Sequence, residues 1–438
     1  MKHVNSLILI LLSILLFGPS AKASEERDSL VVSLLTAWPG GEVYELCGHS
    51  ALRIRDVSAA HSSDSVWNYG LFNFNEPNFV YRFVKGETDY MVGGYPTAWF
   101  LPEYAEGGRK VLEQELNLTQ EEARRLRSML RTEALPQNRV YRYNYVKDNC
   151  ATRITTRLDQ AVGGKIHFPD TISYGTFRKE MRAFHRDYPW YQFGIDLALG
   201  SGLDYELRPD EEMFVPMVMS ERYAGAVLPD GRKLVSATRE LLPDSGHASL
   251  PPTPWWSTPL FLFTLLSLII TACCLCMIIR KKIWPWLYTI WFSSLGLAGC
   301  VVTFLVFCSS HEATAPNILI SWLNPLQFVL AICIWWRILR PLNLVMAWYN
   351  IIVPGILLII WPLQAQSGNP AIFAPIAATF IMGITYAICA DKQSYNYKKT
   401  NKNAQDSNHR ASRTGGSVGS GNGRRTGRKA AARGGNRS

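Results

Sequence analysis

Residues 144–164 read NYVKDNCATRITTRLDQAVGG, and this stretch decides how the polar half of the chain is expected to fold. The residues just before it, RVYRYNYV, alternate as in a β-strand, whereas the apolar spacing over residues 149–162 is that of a helix that ends at Gly163. Asp148 is in position to be the N-cap of that helix. Cys150 is therefore predicted in the first helical turn, where unpaired backbone N–H groups and the helix dipole favour a thiolate.

The cysteine distribution allows two interpretations of Cys150. Seven of the nine cysteines lie in apolar segments, and only Cys47 and Cys150 lie in the polar half. In an oxidising compartment these two would form a disulfide by default. However, a structural cysteine needs no helix N-terminus, whereas a nucleophile gains from it, because the same N–H groups stabilise an oxyanion. The local context thus favours chemistry over a disulfide.

The N-terminus indicates export. Residues 1–23 contain Lys2, an apolar core and the cleavage pattern Ala21-Lys22-Ala23, which is typical of a secretory signal peptide. An uncleaved anchor is the alternative, and both interpretations place residues 24–258 outside the cytoplasm. These residues are mixed in polarity and are predicted to form an exported catalytic domain.

Residues 259–390 are predicted to form a membrane domain of five helical spans, each near the roughly 20 residues that cross a bilayer. The third is the weakest, because Asn324, Pro325 and Gln327 interrupt it. The basic clusters after spans one, three and five all fall on one side, which the positive-inside rule assigns to the cytoplasm. The predicted spans are Leu260 to Ile279, Trp284 to Cys308, Ile318 to Leu339, Leu344 to Trp361 and Ala371 to Ala390.

The net positive charge of the chain resides in its C-terminal tail. Residues 391–438 hold 12 Lys and Arg against 2 Asp and Glu, a net of +10 that equals the net charge of the whole chain. The exported domain therefore lacks the charge of a nucleic-acid-binding protein. The tail itself is predicted to be a disordered cytoplasmic topology determinant that touches anionic lipid, with RNA binding as the alternative.

Two residues upstream are candidates to assist Cys150. His49 begins the predicted strand HSALRIR, with Leu52 and Ile54 on one face and His49 and Ala51 on the other. Asn68 lies in the next predicted strand, SVWNYGLF, where its amide would orient the imidazole. A third feature, the stripe of Tyr141, Tyr143 and Tyr145, is interpreted as core rather than as an acyl groove.

The segments GHSALRIRD, WNYGLFNF, YMVGGYP and YNYVKDNCATR resemble the exported domain of the Lnb family of bacterial lipoprotein transacylases. The resemblance covers residues 30–165. It implies an α+β, circularly permuted papain-like domain followed by the transmembrane bundle, with Cys150 as nucleophile and His49 as base.

The same resemblance implies a function. The enzyme would move a fatty acyl chain, through a Cys150 thioester, onto the N-terminal amine of a diacylglyceryl lipoprotein, with that lipoprotein or a membrane phospholipid as donor. The implied location is the inner membrane, with the catalytic domain periplasmic, and neither cofactor nor metal is expected. Two alternatives remain: a thiol peptidase or amidase that cleaves cell-wall peptide, and a non-enzymatic receptor or assembly protein with a Cys47–Cys150 disulfide.

Overall fold

The computed structural model describes residues 29–58, 62–73, 75, 77–168, 175–246 and 251–390. The predicted signal peptide and basic tail lie outside the described residues. An antiparallel sheet comes first in the chain, and a group of long apolar helices follows it.

A seven-stranded antiparallel sheet forms the framework of the exported half, with strand order β6-β4-β3-β2-β1-β5-β7. β1 is an interior strand, between β2 and β5, and its sequence LVVSLLTA is buried along almost its whole length, because helices cover both faces of the sheet. The strands are β1 Leu30–Ala37, β2 His49–Asp56, β3 Ser63–Leu71, β4 Asp89–Pro96, β5 Val111–Leu116, β6 Val140–Arg142 and β7 Val235–Leu242.

Seven helices belong to this described half. Three of them, α3, α4 and α7, bury apolar side chains together with Leu34, Leu52 and Tyr69 on one face of the sheet. Helix α2 covers the opposite face through Phe100 and Tyr104. The helices are α1 Phe79–Lys85, α2 Thr97–Glu106, α3 Gln120–Glu133, α4 Cys150–Val162, α5 Phe177–Phe184, α6 Pro189–Ala198 and α7 Pro216–Gly225.

The strand predicted before Cys150 is shorter than its alternating pattern suggested. β6 ends at Arg142, because Asn144 starts a turn in which its Oδ1 accepts hydrogen bonds from the backbone N–H groups of Val146 and Lys147, both at 3.1 Å. An asparagine that bonds to its own backbone in this way competes with the strand ladder. Of the tyrosine stripe, only Tyr141 therefore lies on a strand.

Four of the five predicted spans form long apolar helices that could cross a membrane. Helix α8 is followed by α9, which ends at Phe307 next to the sheet domain. These helices are α8 Pro259–Arg280, α9 Pro285–Phe307, α11 Arg340–Ile360 and α12 Pro370–Ala390.

The predicted third span is not a continuous helix, which corrects the sequence-based expectation. Residues 318–339 contain a short 3₁₀ turn, an irregular stretch, the seven-residue helix α10 Gln327–Cys333 and a second 3₁₀ turn. Side chains replace the missing backbone bonds: Asn324 Nδ2 donates to Ile320 O at 3.0 Å, and Gln327 Nε2 donates to Trp322 O at 2.8 Å. Irregular backbone at membrane depth requires such protein partners.

This broken segment nevertheless runs the full length of α9. Its start, at Asn317, contacts the carbonyl of Leu197 in the sheet domain, and its end, at Trp335, donates to Thr289 near the start of α9. In between, the backbone of Asn324 packs against Gly299. A Cβ on this glycine would lie only 2.4 Å from the backbone nitrogen of Asn324. The segment thus lies alongside a spanning helix from one end to the other.

Contacts between α5, α6 and the loop before α12 join the sheet domain to the membrane helices. Arg182 donates to Ser367 Oγ at 2.8 Å and to the carbonyl of Gly368 at 3.1 Å. Asp196, which is buried, accepts from Arg182 and from Asn369 Nδ2. The two halves are therefore held in a defined orientation by buried polar bonds.

Candidate active site

Asn149 fixes the start of helix α4 and, with it, the position of Cys150. Its side-chain oxygen accepts from the backbone N–H groups of Ala151 and Thr152 at 2.9 and 3.0 Å, and Thr152 Oγ1 accepts from the backbone N–H of Asn149 at 2.8 Å. Asn149 Nδ2 also donates to the carbonyl of Phe214 at 2.7 Å, which ties the cap to the core. Cys150 is thus the first residue of the helix.

The predicted N-cap, Asp148, is wrong by one residue. The Asn149 side chain reaches the free N–H groups, whereas the Asp148 carboxylate pairs with Arg153, at 2.6 Å from its Nε. The guanidinium of Arg153 in turn lies 3.5 Å from the centroid of the Tyr141 ring. Asp148, which precedes the helix, therefore holds the Arg153 side chain of its first turn in place.

His49 begins β2, and its imidazole is close enough to the Cys150 thiol for each group to shift the pKa of the other. Its Nε2 lies 2.6 Å from Asn68 Oδ1, and Asn68 Nδ2 donates to the hydroxyl of Tyr95 at 2.9 Å. Because a carbonyl oxygen only accepts, His49 Nε2 carries the proton, which leaves Nδ1 for the thiol. The structure therefore brings the three sequence-predicted residues together and adds Tyr95.

A bulge in β3 helps to aim the Asn68 side chain. The register of β3 against β4 shifts between Asn68 and Leu71, and Gly70 there has a φ of 90°, a conformation that favours glycine. Bulges of this kind redirect side chains near active sites.

The electrostatics of the pair favour a thiolate and an imidazolium. Burial alone would raise the pKa of the Cys150 thiol, but the charge of His49, its hydrogen bond and the backbone N–H groups of Ser50 and Ala151 together lower it. Burial alone would likewise lower the pKa of His49, yet the Cys150 charge and the bonds to Cys150 and Asn68 raise it. Each group thus stabilises the ionised form of the other.

Cys47 is the other cysteine of the sheet domain, and its thiol is shifted in the opposite direction. Its Sγ is 3.4 Å from the hydroxyl of Tyr145 and 3.9 Å from His185 Nε2. Burial raises the pKa of this thiol to about 11 and lowers the pKa of His185 to about 4. Cys47 and His185 are therefore a neutral pair at neutral pH, and in the structure both Cys47 and Cys150 are free thiols.

Sequence reasoning missed Tyr95, Tyr145, His185 and the Ser50 N–H group. Tyr95 could have been found, because it lies in the segment YMVGGYP. This segment forms β4, which pairs with β3 so that Gly93 is opposite Asn68. His185 had none, because it comes from a helix 138 residues after Cys47. Within the described part of the chain, no three His, Cys, Asp or Glu side chains are grouped so as to hold a metal ion.

Two family models match this chain. The Lnb N-terminal periplasmic domain matches residues 19–179, and the Lnb transmembrane domain matches residues 252–394. No curated protein and no solved structure matches. The first model covers Cys150, His49 and Asn68, and the second covers the four long apolar helices and the broken segment.

Proposed function

Because this chain belongs to the Lnb family, with both its periplasmic and its transmembrane domain, we propose that it is a membrane-bound, cysteine-dependent acyltransferase. It moves a fatty acyl chain, through a thioester on Cys150, onto the N-terminal amine of diacylglyceryl lipoproteins. The observation that carries the proposal is the arrangement of the site: Cys150 begins a helix, beside His49 and its partner Asn68, in a domain bonded to the ends of membrane helices.

We also propose that the exported domain is a circularly permuted papain-like fold. Two features support this: the nucleophile begins a helix packed on an antiparallel sheet, and its base and orienting amide lie on two neighbouring strands earlier in the chain. Unrelated proteins place a nucleophile, a base and an orienting residue in the same geometry with different orders along the chain, so the early position of the base does not argue against these roles. The amide of Asn68 acts here through His49 and does not touch the substrate.

The first half-reaction forms the thioester. The Cys150 thiolate attacks the carbonyl carbon of an acyl ester, and the resulting oxyanion is stabilised by the backbone N–H of Cys150 and by the positive end of the α4 dipole. The carbon–oxygen bond then breaks, and the leaving alcohol takes the proton of the His49 imidazolium. The acyl group remains on sulfur, and His49 is neutral.

The second half-reaction forms the amide. The α-amine of the lipoprotein attacks the thioester carbonyl and gives a proton to His49, after which the carbon–sulfur bond breaks and the thiolate returns. An amide is more stable than a thioester, so this step runs downhill. The ester donor is the same lipoprotein, which becomes a lyso form, or a neighbouring phospholipid.

The location of the site favours a lipid substrate over a soluble peptide. Ser309 and Ser310 follow the end of α9. Their side chains donate to carbonyls of the sheet domain, so this domain stays beside the membrane. Holding an enzyme at the surface where its substrate resides raises the effective concentration of that substrate. This placement disfavours a peptidase for soluble peptide, and the free thiols of Cys47 and Cys150 disfavour the receptor alternative, which requires a disulfide between them.

The test is the chemical state of lipoprotein N-termini. In cells that rely on this gene, Cys150→Ala and His49→Ala should each abolish N-acylation as measured by mass spectrometry of lipoprotein N-terminal peptides. Cys47→Ala is the matched thiol control and should retain N-acylation. If the Cys150→Ala protein still N-acylates lipoproteins, the proposal is wrong.

A further inference from the structure

A line of aromatic rings leads from the outer end of helix α9 to the apolar cluster that contains the reactive thiol. We propose that this aromatic track binds the fatty acyl chain while its carbonyl carbon lies at Cys150, an inference that rests on the proposed function. The track consists of Phe83, Phe79, Phe72, Tyr90 and Tyr143, whose successive ring centroids are 6.2, 5.8, 5.0 and 4.3 Å apart.

The first end of the track lies at the membrane. The carbonyl of Phe83 is 2.8 Å from His311 Nε2, and the rings of these two residues are 6.2 Å apart, with His311 in the loop that follows α9. That loop also holds the end of α1, because the backbone N–H of Ser310 donates to the carbonyl of Lys85 at 2.8 Å. Gly86 makes this approach possible, since a Cβ there would lie 2.7 Å from Ser310 Oγ.

Helix α1 presents apolar side chains at this point. Val80 is 73% exposed, Tyr81 55% and Phe83 48%, and the Tyr81 ring lies 6.1 Å from that of Phe304 in α9. Exposed aromatic and aliphatic side chains at the end of a spanning helix match the membrane interface, where such side chains are enriched. A lipid tail can therefore reach Phe83 without crossing water.

The second end of the track lies at the nucleophile. Cys150 and Tyr90 are buried in one apolar cluster, and Phe72 and Tyr143 pack against that cluster. Burial raises the pKa of Tyr143, and the charge of the nearby Cys150 thiolate raises it further. An ester carbonyl at Cys150 would thus have apolar rings directly beside its acyl chain.

The charged side chains near the track are turned away from it. Arg82, on the same helix as Phe79 and Phe83, donates to the carbonyl of Glu87 at 3.1 Å and to Asp89 at 3.2 Å. Lys85 pairs with Glu87 at 2.7 Å. An acyl chain is the occupant that suits an apolar path with a bilayer at one end and an acylating thiolate at the other.

The inference predicts a dependence of acylation rate on chain length. Burying one methylene contributes about 0.8 kcal/mol, or roughly fourfold in rate when the chain is bound in the transition state. We expect Cys150 acylation of the full-length protein in detergent micelles to accelerate along a series of p-nitrophenyl esters from butyrate to palmitate. The readout is the burst of nitrophenolate, checked by the mass of the acyl-enzyme.

Two variants remove rings from the track. Phe83→Ala and Phe79→Ala should each slow acylation by palmitate by about 15-fold, which corresponds to the loss of about two buried methylenes. Their rates with butyrate should stay within about twofold of wild type, which also shows that the variants are folded. Phe83 is half exposed, so its variant keeps the test available if Phe79→Ala does not fold.

Trp190→Ala is the matched control. Trp190 is an exposed aromatic residue at the same outer face, 6.0 Å from Phe263 of α8, but it lies outside the track. It should keep the wild-type dependence on chain length. If both track variants also keep that dependence, the track inference is overturned while the acyltransferase proposal stands; if no ester acylates wild-type Cys150, both fail.

Discussion

The sharpest test of the candidate site is the removal of the Asn68 amide. Asn68 is buried, and its Oδ1 accepts from His49 Nε2 over 2.6 Å, so Asn68→Ala leaves the N–H of a buried imidazolium without that acceptor. A hydrogen bond to a charged group contributes about 1.5–3 kcal/mol. Because about 1.4 kcal/mol is tenfold in rate, the acylation rate of Cys150 should fall by about 10- to 100-fold.

The pH profile should move in a defined direction. The reactive ion pair exists between the lowered pKa of Cys150 and the raised pKa of His49, and the bond from Asn68 is one of the interactions that raise the latter. Asn68→Ala should therefore shift the alkaline limb of the rate of Cys150 acylation by an ester to lower pH, because the imidazolium that protonates the leaving alcohol is lost at lower pH. The acid limb should shift less, because Asn68 acts on the thiol only through His49.

Two further variants calibrate the size of this effect. Tyr95→Phe removes only the neutral bond to Asn68 Nδ2, so the rate should fall by about fivefold or less. Asn138→Ala, at an exposed asparagine that bonds to the carbonyl of Thr132, is the matched control and should leave the rate unchanged. Wild-type rate and an unshifted alkaline limb in Asn68→Ala would refute the assignment of Asn68 as the residue that orients His49.

Three other outcomes are expected. Cys47→Ala should leave iodoacetamide labelling of Cys150 near pH 6 unchanged, because the Cys47 thiol, with a pKa of about 11, is protonated there; a disulfide between the two in active protein would contradict this and the mechanism. A topology reporter fused after Ser438 should read cytoplasmic and one inserted beside Asp244 should read periplasmic, and a cytoplasmic signal at Asp244 would overturn the proposed orientation. Arg182→Ala should destabilise the full-length protein by about 1–3 kcal/mol, measured as a lower thermal midpoint, since it removes bonds to Ser367, Gly368 and buried Asp196. The control is Arg208→Ala, which removes the exposed pair with Asp210 and should leave the thermal midpoint at the wild-type value.

The parts that could be predicted from sequence depend on local chemistry. The helix after Cys150 follows from its apolar spacing and from Gly163, which ends it with a φ of 74°. The capping box of α3 likewise follows from Thr119 and Glu122, which bond to each other's backbone N–H groups. In both cases the deciding contacts join residues within a few positions of each other, so a linear pattern records them.

The parts that could not be predicted depend on contacts between distant segments or on competition between neighbours. Asp148 and Asn149 are both good caps, and only the tertiary bond from Asn149 to Phe214 and the pairing of Asp148 with Arg153 decide between them. Apolar content likewise predicted a third span over residues 318–339, although Asn324, Pro325 and Gln327 marked it as the weakest of the five. Asn324 shows why this failed, since its bonds to neighbouring carbonyls and to Tyr349 stabilise a break within a hydrophobic stretch.

The bonds between α5, α6 and the loop before α12 affect how the chain can be divided. Residues 180–251 fall between the two family matches, yet they contain Asp196. Asp196 pairs with buried Arg178 of the sheet domain and accepts a hydrogen bond from Asn369 in the loop before α12. Cutting the chain between its sheet and its spanning helices would leave Asp196 without Asn369 and Arg182 without Ser367. A fragment that ends before α8 would therefore lose these buried polar contacts, so the proposed reaction is best assayed with the sheet and the spanning helices in one polypeptide.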